Sequence, residues 1–295
     1  MGILHIAVVI RDTVDCQVLL PADSYGEKPL AEGQVKIINP SDWSALEQAI
    51  ALKKQGVVQH ITVLNVGQSD GEEALRWCLA TGADAAQRLW DPALEDSDQL
   101  GKGKTLAAAL ERLKVNLVLC GDKCLDQLNS LIPGIAADAA GMTYLTEIEK
   151  VENIDNDKAV VIRRRPKGKR EKVAVRLPAL LAIAEVKSES SERAGIDDTL
   201  TALTQKIPCW DLGDLGLVAE MVGARGAKIT NIQIRPAKPP FTKPQTPDYR
   251  LPAQQRLQAI ITGGAVRKQG EVVTGEPDKL VEKIIEFLCQ EPNKR

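Results

Sequence analysis

Histidine is nearly absent from this chain: His5 and His60 are the only two. Neither belongs to a Ser–His–Asp or Cys–His arrangement, so nucleophilic catalysis of that kind is hard to build. Six cysteines, Cys16, Cys78, Cys120, Cys124, Cys209 and Cys289, are scattered, most of them in apolar surroundings. Cys120 and Cys124 do not form a CxxC pair, so neither a zinc site nor a disulfide framework is indicated. Aromatic residues make up 3% of the chain, which leaves a core of Leu, Ile, Val and Ala. No apolar run approaches the roughly 18–20 residues needed to span a bilayer. The formal net charge of −2 gives no general attraction to nucleic acid or an anionic membrane. Met1–Ile10 runs directly into a strand pattern and lacks the charged region and cleavage site of a signal peptide. The expectation is a cytoplasmic protein with reduced thiols, no nucleic-acid partner and no membrane insertion. A phosphate-binding P-loop is also missing. Gly101–Thr105 reads GKGKT, but Asp98 stands where the first glycine of that motif belongs.

What the chain does contain is an alternation of strand and helix patterns around one stretch, Val115–Ala140. Val115–Cys120 is a short apolar run of buried-strand type. It breaks at Gly121, passes through a polar turn, and becomes helical from about Leu128. A strand that turns at a glycine and feeds a helix is the usual way to build a ligand site at the carboxyl edge of an open α/β sheet. Leu4–Ile10 and His60–Val66 read as further strands, Gln87–Trp90 as a short one, and Arg11–Asp15 as a polar loop. Pro21–Gly33 is rich in turn formers and reads as a surface excursion. A helix follows Asn39-Pro40-Ser41-Asp42, with Asn39 or Ser41 as cap and Gly56 as its end. Asp70–Thr81 and Lys104–Leu113 are two more helices. This order predicts a parallel sheet covered on both faces.

After Gly141 the pattern changes to strands joined by short turns: Thr143–Val151, Ala159–Arg164, Lys172–Leu177 and Leu180–Val186. Antiparallel hairpins are expected, with the last strand returning to the main sheet. Arg163, Arg164, Arg165, Lys167, Lys169, Arg170 and Lys172 make a basic hairpin tip. It is either a phosphate or partner contact, or a solvated turn partly balanced by Glu171. Asp197–Gln205 reads as a short helix with an Asp cap. Residues 236–252 carry six of the 16 prolines and read as an extended arm, followed by an amphipathic helix over Pro277–Cys289. The division expected is a main domain over 1–235 and a docking arm and helix over 236–295.

The order of these segments resembles the beta (small) subunit of electron-transfer flavoproteins over most of the chain. Ile6–Asp15 is similar to the family's first strand and its Val-Lys-Arg…Asp loop, with Arg11 in the lysine's place. Asn39-Pro40-Ser41-Asp42 resembles the Asn-Pro-Phe-Asp-Glu helix start, and Ala80-Thr81-Gly82-Ala83-Asp84 the Ala-Met-Gly-Ala-Asp segment. Gly121 and Asp126 match the glycine and first aspartate of the Gly-Lys-Gln-Ala-Ile-Asp loop. Leu177-Pro178-Ala179, Asp214-Leu215-Gly216 and the ending Gly270–Leu288 follow in family order.

The resemblance implies a Rossmann-like, doubly wound, mostly parallel sheet in a heterodimer. The alpha subunit would carry the electron-transferring FAD, and this chain would bind AMP or a second FAD. It would work as an electron-transfer carrier and not an enzyme, serving a flavin dehydrogenase and an acceptor. The implied nucleotide-binding residues are Asn39, Pro40, Ser41, Asp42, Gly67, Gly121, Asp126, Asn129 and Ser130, with backbone N–H groups at Gly121 and at the next helix start holding phosphates. Gly121 and Asp126 read equally as a turn glycine and a helix-capping carboxylate. Lys187 and Glu189 fall in the family's partner-recognition loop, without its Pro-Arg-Tyr. Leu128 and Leu131 replace the family's second acidic residue and its glutamine, leaving a thinner polar set. Two alternatives stand beside this reading: a structural subunit that has lost its nucleotide, and an ATP-cleaving enzyme of the same fold.

Overall fold

A computed structural model describes residues 5–15, 35–126, 131–155, 157–186, 194–229, 250–261 and 275–289. The chain forms two units, Met1–Pro236 and Ala237–Arg295.

Unit one is built on a nine-stranded sheet. In chain order, β1 (His5–Val9) is followed by the short strands β2 (Asp12–Val14) and β3 (Lys36–Ile38), then α1 (Pro40–Lys54), β4 (His60–Val66) and α2 (Glu72–Thr81). Next come β5 (Ala85–Leu89), α3 (Gln99–Leu113), β6 (Leu117–Gly121), α4 (Leu131–Ala139) and β7 (Thr143–Ile154). The hairpin strands β8 (Lys158–Arg165) and β9 (Lys169–Arg176), the strand β10 (Ala179–Ile183), α5 (Ile196–Thr204), β11 (Cys209–Trp210) and the single turn α6 (Gly223–Gly226) complete the unit. The spatial order is β11-β5-β4-β1-β6-β10-β7-β8-β9. Pairing is parallel from β11 through β7 and antiparallel in β7-β8-β9.

Period-two alternation puts each central strand into two cores. Ile6 and Val8, Leu117 and Leu119, and Leu181 and Ile183 pack with Leu46, Ile50 and Leu75 of α1 and α2. Their neighbours Ala7, Val118, Cys120, Leu180 and Ala182 pack with Leu106, Leu110 and Ala136 of α3 and α4. All of these side chains are buried. The sheet is thus covered on both faces, which is the doubly wound arrangement expected.

Several elements depart from the sequence expectation. Arg11–Asp15 is not simply a loop, because β2 pairs antiparallel with β3. The run is too short and too polar for its own pattern to announce a strand. α3 begins at Gln99, five residues before the expected start, capped by the Asp98 carboxylate on the Gly101 N–H. GKGKT is therefore helix interior, and its two glycines are packing positions. Gly103 faces α4, where an added Cβ would lie 2.5 Å from Ile135 Cγ2. The cap of α5 is Gly195, with Asp197 and Asp198 in the first turn. The hairpin tip is balanced by more than Glu171: Arg164 and Arg170 share Glu149, Arg163 and Arg165 share Glu171, and Lys172 pairs with Glu152. Cys78, Cys120 and Cys124 are buried free thiols, whereas Cys209 is exposed. Pro21–Gly33 and most of the proline-rich arm lie outside the described residues.

Unit two contains α7 (Ala253–Ile261) and α8 (Pro277–Cys289). α8 has the expected bounds, and α7 was hidden behind Pro252 and its polar first turn. On α8, Val281, Ile284 and Ile285 are exposed apolar side chains.

Candidate functional site

The strand order reverses at β1. The chain runs outward to β4 and β5, then returns to add β6 on the other side. Sheets of this kind hold ligands outside the carboxyl ends of the strands at such a reversal, here those of β1 and β6. Four segments meet there: the residues after β1, the start of α1, the end of β4 and the loop after β6.

The start of α1 is tied to the β6 loop. Asn39 is at the cap position of α1 but makes no capping bond. Instead its Nδ2 donates to the Lys123 carbonyl at 2.8 Å, and its Oδ1 accepts from the Leu125 N–H at 3.1 Å. Ser41 Oγ donates to the same Lys123 carbonyl at 2.6 Å. Pro40 opens the helix, where its missing N–H costs nothing. Asp42 turns into the sheet end, accepting the Gly121 N–H at 2.6 Å and the Arg11 N–H at 3.0 Å. Burial pushes Asp42 up to about 7, against the pull of these N–H groups and of Asn39 and Arg11.

Gly121 is required here by proximity. A Cβ would lie 2.5 Å from Asp42 Oδ1 and 2.7 Å from Ser41 Oγ. Its N–H is engaged by Asp42, so the expected role of that N–H as a phosphate donor is corrected. The next N–H, of Asp122, is also engaged, by the Ile183 carbonyl at 2.9 Å. Burial raises Asp122 to about 6, opposed by Lys123.

Gly67 follows β4 and faces Asn65, whose Nδ2 donates to the Ile10 carbonyl at 3.0 Å. Asn65 Oδ1 is buried and has no hydrogen-bond partner among the described residues. Asn65 carries no motif and was not singled out in the sequence. Its only signal is a polar residue inside an apolar strand.

The side chains facing outward carry charge. Arg11 donates to Asp126 Oδ2 at 2.6 Å and to Cys124 Sγ at 3.2 Å. Lys102, on the second turn of α3, interacts electrostatically with both Arg11 and Asp126. Of the expected residues, Asn39, Pro40, Ser41, Asp42, Gly121 and Asp126 are brought together, and Gly67 lies against Asn65 after β4. Asn129, Ser130, Lys187 and Glu189 lie outside the described residues. His5 is bonded to Thr62 Oγ1 at 2.8 Å and stacked edge-on against His60, a strand-neighbour role. Among the described residues no three His, Cys, Asp or Glu side chains form a metal cluster, and no helix is long and apolar enough to cross a membrane.

A doubly wound sheet whose strand order reverses at β1 defines a protein of the Rossmann-like α/β class. Comparison with known proteins narrows the class. Residues 30–211 match the model of the electron transfer flavoprotein domain. Similar proteins include the caffeyl-CoA reductase-Etf complex subunit CarD of Acetobacterium woodii, 32% identical over 76% of this chain and 83% of that protein. The electron transfer flavoprotein subunit beta of Clostridium acetobutylicum is 32% identical over 67% of this chain and 75% of its own. Protein FixA of Azorhizobium caulinodans is 30% identical over 72% and 77%. The chain belongs to the electron transfer flavoprotein beta-subunit family, whose members are electron-transfer carriers and not enzymes.

Proposed function

We propose that this chain binds an adenine nucleotide, AMP or FAD, in the crevice at the ends of β1 and β6. We further propose that it pairs with an alpha subunit carrying the electron-transferring FAD, and that the heterodimer passes electrons between a flavin dehydrogenase and an acceptor. One observation carries the reading. Arg11, the α1 start, the end of β4 and the β6 loop converge on the switch point, with a guanidinium turned to the crevice mouth. A cation at the mouth, the Arg11 guanidinium, fits a phosphate-bearing ligand. Flavin supplies the electron chemistry when bound. The residues of this chain supply position and charge, and none makes or breaks a bond.

The family relatives named as complex or electron transfer flavoprotein subunits support an alpha partner. The exposed apolar side chains of α8 support residues 236–295 as the docking element, and Lys187 and Glu189 remain the proposed contact to a dehydrogenase. A cytoplasmic setting belongs to the same reading. A second reading, a structural subunit without nucleotide, is favoured by one fact: Asn39, Ser41 and the Gly121 N–H are all engaged in bonds within the chain.

Co-expression with the candidate alpha subunit, denaturation of the purified complex and chromatography of the released cofactors tests both. FAD with AMP, or FAD in twofold amount, is the expected result. One FAD without AMP supports the structural-subunit reading. Failure to co-purify would contradict the pairing.

A further inference from the structure

The basic hairpin β8–β9 takes no part in the crevice. Residues 163–172 hold seven cations and one carboxylate, Glu171, a net charge of +6. The whole chain carries −2, so the remaining residues together carry −8. One hairpin is thus the positive pole of an otherwise acidic chain. The strand register concentrates that charge. Arg164 lies opposite Arg170, and Arg165 opposite Lys169. Like charges directly across an antiparallel pair are destabilising, and strand alternation puts these two rungs on opposite faces of the hairpin. At the turn, Lys167 takes φ +64°, in the left-handed region that favours glycine and asparagine. Carboxylates within the chain are too few for these cations. Arg164 and Arg170 share Glu149, Arg163 and Arg165 share Glu171, and Lys172 takes Glu152. Lys167 and Lys169 have no ion pair with a described residue. The side chains of Arg165, Arg170 and Lys172 are 46, 61 and 66% exposed, so an anion from outside can reach them.

The surface suits a protein better than a row of phosphates or a bilayer. Glu149, Glu152 and Glu171 sit at fixed places among the cations, and a continuous polyphosphate would meet them as well. Residues 158–176 contain no aromatic side chain on which a base could stack. Pro166 is the one apolar side chain within 163–172, so no apolar wedge accompanies the charge into a membrane.

We propose that the β8–β9 hairpin is the docking and steering surface for an acidic face of a redox partner protein. That the partner is a redox protein rests on the carrier reading above; that its face is acidic rests on the hairpin alone. A positive pole on an acidic chain turns the molecule as such a partner approaches, an effect that salt screens. Once docked, the partner's carboxylates relieve the two like-charged rungs and pair with Lys167 and Lys169.

The test uses the full chain in complex with its alpha subunit and measures association rates with two immobilised probes, a flavodoxin as an acidic electron carrier and a cytochrome c as a basic one. The triple variant Arg165→Gln/Lys167→Gln/Lys169→Gln should slow association with flavodoxin about tenfold or more at low salt and abolish its salt dependence, without slowing cytochrome c. A control with three exposed lysines neutralised elsewhere, Lys114→Gln/Lys206→Gln/Lys228→Gln, should stay within about twofold of wild type. Thermal melting reports folding, and Lys167→Gln alone, at the turn, should give a smaller loss in the same direction. Equal losses in the triple variant and the control would show that net charge alone matters and overturn the proposal. Hairpin-dependent binding to phosphatidylcholine–phosphatidylglycerol vesicles or to a short DNA duplex, with flavodoxin unaffected, would overturn it in favour of a membrane or nucleic acid. Loss of the alpha subunit from the triple variant would place the hairpin in the heterodimer interface and overturn it also. Hairpin-dependent flavodoxin binding by a complex that releases no FAD would keep the docking surface and overturn the carrier reading.

Discussion

Asp42 lies in the first turn of α1 with its carboxylate turned from the helix into the sheet end, where it joins β1 to β6 through the N–H groups of Arg11 and Gly121. Because burial raises it from 3.8 to about 7, the native state keeps a proton there that the unfolded chain has already released. Stability from this group therefore falls as pH rises from near 3.8 to about 7 and is flat above. Asp42→Asn loses one acceptor but also this slope. Denaturant unfolding across that range should show wild type losing up to about 1.4 kcal/mol per pH unit relative to the variant, and parallel curves would contradict the assignment. Gly121→Ala should destabilise by about 1–3 kcal/mol, read from the same curves, because its methyl would overlap Asp42 and Ser41. The residues of this junction were legible in the sequence as a group. Their bonding was not, since Asn39 has the look of a cap and is spent on a loop over eighty residues away. The Arg11–Asp126 pair was not legible at all, because only the fold brings positions 11 and 126 together.

Among the elements, those whose own pattern is strong are legible in the sequence: β4 with its seven residues, α1 with its proline start and glycine exit, and α8 over Pro277–Cys289. β2 and β3 need each other to exist, and three residues carry no period. The sequence pattern of α3 starts late because its glycines count against helix in isolation. They are there because α4 approaches closely, so propensity yields to packing. Gly103→Ala should gain about 1 kcal/mol of helix propensity and still destabilise the protein by about 1–3 kcal/mol net. Thermal unfolding checks the sign, and a stabilised variant would show that α3 and α4 can part without cost. Hydrogen exchange should speed up most along α3 and α4 in that variant.

For the molecule as a whole, unit one holds the entire nine-stranded sheet and both cores. A chain ending at Pro236 should keep a cooperative melt within about 4 °C of the full chain, and lose co-purification with the alpha subunit. In the full chain, Ile284→Asp with Val281→Asp should reproduce the second effect alone. A collapse of the melt in either case would show that unit one is incomplete without unit two. The proline-rich stretch of residues 236–252 is displayed by the sequence. What no local pattern displays is the threading of the sheet, in which β10 enters between β6 and β7.

That threading has a consequence during synthesis. On a chain still attached to the ribosome, β6 and β7 emerge well before the strand that joins them, and the β7–β9 hairpin can form while it is still tethered only by sequence. Until residue 183 has cleared the exit tunnel, the nascent protein lacks the strand that pairs with both β6 and β7, and unpaired strand edges are where neighbouring chains pair wrongly. Slow translation just before Leu177 would lengthen that exposure, and rapid delivery of Ala179–Ile183 would end it in one step.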